Sequence, residues 1–259
     1  MDENADSGLP RVVELLLGAR ERPRRGPKPG LSLERIVQAA IGIADAEGLA
    51  ALSMARVAEE LGFTTMSLYR YVRSKEELLL LMVNGAAGEL PEISEGGWRG
   101  GLTRWARELL ASYRRHPWVL QVPISGPPFL PSELAWMDQG LRALTDTRLD
   151  EAEKLAVIQL LAVYVRGEAH LAQQLAQAVA AAQAASTTEQ GRGEAATAAT
   201  GYGQLLRQMV DPQRLPALSQ VLAAGVFDGP IDCTDADSDF GLQRVLDGIE
   251  VLIQARGHG

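Results

Sequence analysis

The sequence predicts an all-α protein, with a small N-terminal helix-turn-helix domain followed by a larger helical bundle. Three observations carry this. Ala, Leu and Glu are abundant, while Phe and Tyr number only four and five in 259 residues, a bias toward helix formers. Apolar residues recur at three- and four-residue spacing between Ser, Thr or Asp caps and Gly stops. No segment sustains the apolar–polar alternation of a half-buried strand.

The elements follow in order. Val12, Val13 and Leu15 to Leu17 form an apolar patch that predicts a helical turn or two docked on the body. Residues 20–30 hold three prolines, two glycines and five basic residues, the composition of an extended arm whose removal should cost little stability. Ser32 caps a helix to Glu47, with Leu33, Ile36, Val37, Ala40 and Ala44 on one face and Gly48 as its stop. Ser53 caps a second, short helix stopped by Gly62, and Thr64 caps a third from Thr65 to about Val72. The capping box Ser74-Lys75-Glu76-Glu77 opens a fourth, with a deeply apolar run from Leu78 to Val83. Beyond a Pro/Gly/Glu break at 91–97, helices are expected over Trp98–Arg115 and Ser132–Asp146. A long one starts at the box Asp150-Glu151-Ala152-Glu153 and reaches about Ala184. A polar low-complexity stretch at 185–201, two short pieces near 203–210 and 213–224, and a last helix from Ser238 to Arg256 complete the chain.

Composition narrows the function. A hydrophobic share of 46% is enough for a sizeable core, which excludes wholesale disorder. The formal net charge is −8, but from Ala19 to Lys75 ten basic residues face six acidic ones, so this window carries +4 and the remainder −12. A basic end on an acidic body suits contact with phosphate. Cys233 is the single cysteine, which leaves no internal disulfide framework. His116, His170 and His258 lie far apart and lack metal-ligand spacing, so no metal or cofactor is expected. Neither a phosphate loop nor a nucleophile elbow is present, and an enzyme is not expected. With no signal peptide, and no apolar stretch expected to approach the ~20 residues that span a bilayer, no membrane partner is expected and the cytoplasm is the expected location.

The informative segment is Ser53 to Tyr71. Two short helices meet at a turn containing Gly62, and Val57, Ala58, Leu61, Leu68 and Val72 supply the small core that fixes their crossing. The second helix is the candidate reader of a major groove. Thr64, Thr65 and Ser67 offer hydroxyls at its start, Met66 lies among them, and Tyr69, Arg70 and Tyr71 present long side chains suited to phosphate and base edges. Half-buried packing is the competing account of Tyr69 and Tyr71. Ser53 caps its helix and can also touch phosphate, while Arg56 can reach phosphate or stay solvated. The arm with Arg24, Arg25 and Lys28 suits an adjacent minor groove.

These residues carry a family resemblance. Gly48-Leu49, Ser53…Val57-Ala58…Leu61-Gly62, Leu68-Tyr69…Tyr71-Val72 and Lys75-Glu76-Glu77-Leu78-Leu79, at these spacings, resemble the N-terminal domain of the TetR family of bacterial regulators. The stretches RHPW at 115–118 and YVRGEA at 164–169 resemble, more loosely, the tetracycline-repressor-like C-terminal domain. Met66 departs from the smaller residue or proline of many relatives, so no operator sequence carries over. The resemblance implies a phosphate contact for Lys75 and three parts: an arm over 1–30, a DNA-binding domain over 31–90, and a ligand-binding and dimerisation domain over 91–259. It further implies a ligand-responsive transcriptional regulator, a repressor released from a palindromic operator by a small molecule. The alternative is a DNA-binding dimer with no small-molecule effector.

A homodimer also follows from DNA geometry, because two-fold dimers match half-sites about one helical turn apart. The resemblance places its interface on the long helix and the last one. The stripe Leu242, Val245, Leu246, Ile249, Leu252, Ile253 suits that role and equally suits internal core. For the effector, Tyr113, Trp118, Phe129, Trp136 and Tyr164 gather in the central helices. Glu168 lies one turn after Tyr164 on the same face, where it would favour a cationic or hydrogen-bonding ligand. Ordinary core packing is the competing account of each aromatic.

Overall fold

The computed structural model describes residues 9–21, 30–88, 90, 96–124, 126–185, 202–228 and 235–257, which contain helices and no strand. Arg24, Arg25 and Lys28 of the arm, the bulk of the low-complexity stretch, Cys233 and His258 lie outside them. The helices are α1 (Arg11–Glu21), α2 (Leu33–Glu47), α3 (Met54–Leu61), α4 (Thr65–Tyr69), α5 (Lys75–Ala86), α6 (Gly97–Arg115), α7 (Pro131–Arg142), α8 (Glu151–Ala185), α9 (Tyr202–Met209), α10 (Pro216–Ala223) and α11 (Asp235–Gly257). Single 3₁₀ turns run over Leu49–Ala51 and Pro117–Gln121.

Local chemistry sets most of the boundaries. Ser32, Ser53 and Ser74 hold extended backbone, and each hydroxyl accepts from the N–H three residues on, at 3.2, 3.1 and 3.2 Å. Gly62 ends α3 in the left-handed region at φ +72°, where a side chain would strain the turn. Asp150 and Glu153 complete a capping box: Glu153 N–H donates to the Asp150 carboxylate at 2.8 Å, and Asp150 N–H to the Glu153 carboxylate at 3.1 Å. The box at Ser74 forms only in half. Its Glu77 carboxylate accepts instead from the Arg73 N–H at 2.5 Å and sits 3.4 Å from Arg11 Nε.

Two expectations need correction. Thr64 precedes α4, but its hydroxyl makes no cap; it pairs with the Ser67 hydroxyl at 2.9 Å. α4 also stops at Tyr69 rather than Val72, because the chain turns there. Tyr71 and Val72 N–H both donate to Leu68 O, and the turn sends Leu68 and Val72 into the same core, each fully buried.

The chain forms two compact units by contact: residues 1–169 with 246–259, and residues 170–245. α8 and α11 each contribute to both. In the first unit, Ile36, Ala40, Leu52, Val57, Leu68, Leu78, Leu81 and Met82 make the core of the N-terminal helices. α1 joins it, as the apolar patch at 12–17 predicted: Val12 and Val13 are buried, and the helix is three turns long rather than one or two.

Farther along this unit, Trp105, Leu102, Leu144 and Leu161 are fully buried. Gly140 permits the close packing of α6, α7 and α8, since a Cβ there would lie 2.8 Å from Ile158 Cδ1 and 3.2 Å from Trp105 Nε1. The end of α11 is pinned from two sides, by Arg99 to Asp247 and Glu250 at 2.6 and 3.0 Å and by Arg256 Nε to Glu153 at 2.8 Å. Leu246 and Ile249 are buried inside the chain, which makes the middle of the α11 stripe internal core.

In the second unit, α9 packs against the turn that follows α10, with Tyr202 edge-on to Phe227 at 5.7 Å and an Arg207–Asp228 ion pair. Leu222 and Leu242 are buried there. Residues Glu151–Ala178 of α8 are apolar and long enough to cross a bilayer, contrary to expectation, but Ile158, Leu161 and Val165 of this stretch are buried inside the protein fold.

Replacing Val12 and Val13 together by Ala should destabilise the protein by roughly 1–2 kcal/mol per residue. Thermal unfolding followed by circular dichroism measures it; an unchanged melting point would place α1 outside the cooperative core.

Candidate functional site

The reader segment is built as an inward row and an outward row. Leu68 and Val72 face the core, while Met66, 73% exposed, Tyr69, 42% exposed, and Arg70 face solvent. Thr64 is exposed and Thr65 and Ser67 are half-buried on the same short helix. Lys75 opens α5 from an exposed position directly after the Ser74 cap. Beside it, Glu76 is held below the usual carboxylate range, chiefly by its own backbone N–H and then by the Ser74 hydroxyl. Phe63, half-exposed in the turn and near Gly30, belongs to this rim, although no motif marks it.

Two residues of the expected interface are engaged elsewhere. Arg56 is held by Glu47 at 2.7 Å and Glu60 at 3.0 Å, with Glu59 at 3.9 Å. These hydrogen bonds, Glu47 first, raise its pKa further, and its charge is balanced within the chain. The Tyr71 hydroxyl donates to Leu31 O at 3.0 Å and its ring packs on the N-terminal core. Tyr71 thus ties the start of α2 to the end of the reader, while Ser53 is exposed and does its work as a cap.

Hydrogen bonds join these helices to the rest of the first unit. Asp45, near the end of α2, accepts from Trp118 Nε1 at 2.7 Å and pairs with His116 Nδ1 at 2.9 Å. At the far end of α5, Asn84 accepts from Ser132 N–H at 3.0 Å and Ala87 O accepts from Trp136 Nε1 at 3.2 Å. Trp105 Nε1 in turn donates to Trp136 O at 2.9 Å, and the two indoles meet edge to face.

Behind these bonds lies a cavity of about 530 Å³. Its wall is mainly apolar, with the end of α5, Trp105 and the prolines at 123, 127 and 128 among its parts. Of the six residues expected to meet a ligand, Tyr113, Phe129 and Trp136 stand on this wall. Trp118, Tyr164 and Glu168 do not. Trp118 is fully buried in the N-terminal core with its indole committed to Asp45. Tyr164 and Glu168 point off the cavity because α8 presents Gln159, Ala162, Val163 and Arg166 to it, one stripe of the helix. Among the described residues no cluster of His, Cys, Asp or Glu could hold a metal ion.

Two family models match this chain: that of bacterial regulatory proteins of the tetR family, over residues 36–82, and that of the tetracyclin repressor-like C-terminal domain, over residues 90–253. The chain is 42% identical to the HTH-type transcriptional repressor DrrR1 of Streptomyces coeruleorubidus, with 98% of this chain and 90% of the relative covered. Among solved structures, apo ActR from Streptomyces coelicolor is 27% identical with a TM-score of 0.66, covering 90% of this chain and 99% of that one. ActR in complex with actinorhodin is 28% identical with a TM-score of 0.68, covering 88% and 98%.

Tyr71→Phe removes one hydrogen bond to a half-buried carbonyl and should cost about 1 kcal/mol of stability. Denaturant titration of the two proteins checks this; equal midpoints would mean that the Leu31 bond contributes nothing.

Proposed function

This chain belongs to the TetR family of bacterial regulatory proteins, which are transcriptional regulators and not enzymes, and on that footing we propose that it is a cytoplasmic, homodimeric repressor released from a palindromic operator by a small molecule. The reader segment at 31–90 binds the DNA, and the helices at 91–259 hold the ligand and the partner subunit. The observation that carries this reading is Trp136. Its ring lines the cavity and its Nε1 bonds Ala87 O, just past the last residue of α5, whose first residue is Lys75. α5 spans about 18 Å from reader to cavity at 1.5 Å per residue. A ligand that displaces the Trp136 indole therefore acts on a rigid rod whose other end carries the DNA contact. The complex of ActR with actinorhodin, a relative of matching fold, supports a small molecule in such a domain.

Dimerisation is supported by the outer face of α8 and by α11. Leu155, Leu160 and Val163 are exposed on α8, and Val251 is 67% exposed on α11. Exposed apolar residues on both helices suit a cover supplied by a partner subunit.

In this reading Met66, Tyr69 and Arg70 approach base edges and Lys75 approaches phosphate. Lys75→Ala should weaken binding to duplexes selected from a random pool and lower the slope of log Kd against log salt by about one unit, with the melting point unchanged. Equal affinity at ~150 mM salt would remove Lys75 from the interface.

Leu160→Glu with Val251→Glu should convert the dimer to monomer without loss of helicity, read by sedimentation velocity and circular dichroism. A dimer that survives both charges would move the interface away from this face.

A further inference from the structure

Two charged side chains reach the cavity wall, Glu133 and Arg166. Glu133 is consumed by the chain, since its carboxylate accepts from the N–H groups of Phe129 at 3.1 Å and Leu130 at 3.0 Å and so caps α7. Arg166 is different. Its Nη2 donates to two neutral carbonyls, Leu120 O at 3.2 Å and Val122 O at 3.4 Å, and its guanidinium stands 5.9 Å from the Tyr113 ring. Among the described residues no carboxylate pairs with it, in a chain of net charge −8 whose Arg56, Arg99, Arg142, Arg207 and Arg256 all have acidic partners. A half-buried guanidinium with long bonds to neutral acceptors, facing an apolar cavity, lacks only an anion.

We propose that the cavity takes an acidic ligand: an apolar aromatic body carrying one anionic oxygen group, which seats on Arg166. This rests on the reading of the cavity as the effector site and names the chemical class of that effector. Bonds from a guanidinium to an anion are roughly twice as strong as bonds to neutral acceptors, so the anion competes with the Leu120 and Val122 carbonyls for Nη2. Gln159, two turns earlier on the same stripe of α8 and about 10 Å away along the axis, offers a second polar contact. The aromatic body packs against Phe129 and Trp136. The competition also has a consequence for the signal. Leu120 belongs to the 3₁₀ turn Pro117–Gln121, whose Trp118 holds Asp45 of α2. An anion that draws Arg166 from those carbonyls loosens the segment that anchors α2, a route to the DNA-binding helices separate from the Trp136–α5 rod.

The test uses two fluorescent probes of one shape and different charge on the full-length protein. They are 1-anilinonaphthalene-8-sulfonate and its uncharged counterpart N-phenyl-1-naphthylamine. Arg166→Gln should weaken the sulfonate about tenfold or more, the loss of one charge-assisted bond, and change the uncharged probe less than about twofold. Arg166→Lys, which keeps the charge, should retain most of the sulfonate affinity. Ala162→Phe, which fills the cavity, should remove both probes. Circular dichroism establishes that each variant is folded, and if Arg166→Gln fails that check, the Lys variant and the sulfonate's preference in the native protein decide. Equal losses of both probes on Arg166→Gln, or a native protein that favours the uncharged probe, would overturn the anion assignment while leaving the cavity as a ligand site. Probe binding that is absent, or that survives Ala162→Phe unchanged, would sink the cavity reading and the proposal with it.

Discussion

Asp45 is the joint on which the first unit turns. Its Oδ1 gathers two partners from more than seventy residues away, His116 Nδ1 and Trp118 Nε1. The indole that satisfies Asp45 is also fully buried among the residues of α2 and its neighbours. One side chain thus supplies a hydrophobic plug and a hydrogen bond to the same helix, and the N-terminal helices cannot rotate freely on the rest of the unit without losing both. The second attachment, Asn84 and Ala87 of the α5 end to Ser132 and Trp136, fixes the other side. A reader held at two points on a stiff body keeps its orientation, as the half-site recognition proposed above would demand.

Much of this was legible in the sequence because it is local. A serine cap, the N–H three residues on and a terminal glycine lie within a few residues of one another, so Ser32, Ser53, Ser74 and Gly62 announce their helix ends without tertiary help. What local sequence could not show was set by distant partners. Tyr71 looked like part of an exposed reading face, but its role is fixed by Leu31, forty positions earlier. Arg56 looked available until α2 brought Glu47 to it. α4 ended early because burying Val72 required a turn, a demand made by the core and not by the local propensity of residues 70–72.

The cavity illustrates the same limit on a long helix. Aromatic composition alone located three of its wall residues, since large rings in a bundle interior either fill a core or line a void. It could not distinguish Trp118, which fills, from Trp136, which does both. Nor could it set the phase of α8. Tyr164 and Glu168 share a face with each other, as helical spacing requires, but Ile158, Leu161 and Val165 face the interior and thereby turn Gln159, Ala162 and Arg166 toward the void. Arg166 and Glu168 are two residues apart, about 200° around a helix, so the phase of α8 decides whether the stripe toward the void carries a base or an acid.

α8 has one face on the cavity and another, with Leu160 beside Val163, exposed to solvent. Val163 belongs to both, since it lines the cavity and is 71% exposed. A partner subunit packed on the outer face would therefore touch the cavity wall. Close-packed side chains transmit displacement rather than absorb it, so under the proposed function ligand occupancy and subunit pairing would be coupled through the same helix. Thermodynamic linkage would make that coupling reciprocal: whatever a ligand did to the spacing of two readers in the proposed dimer, DNA that fixed the spacing would do in return to the affinity for the ligand.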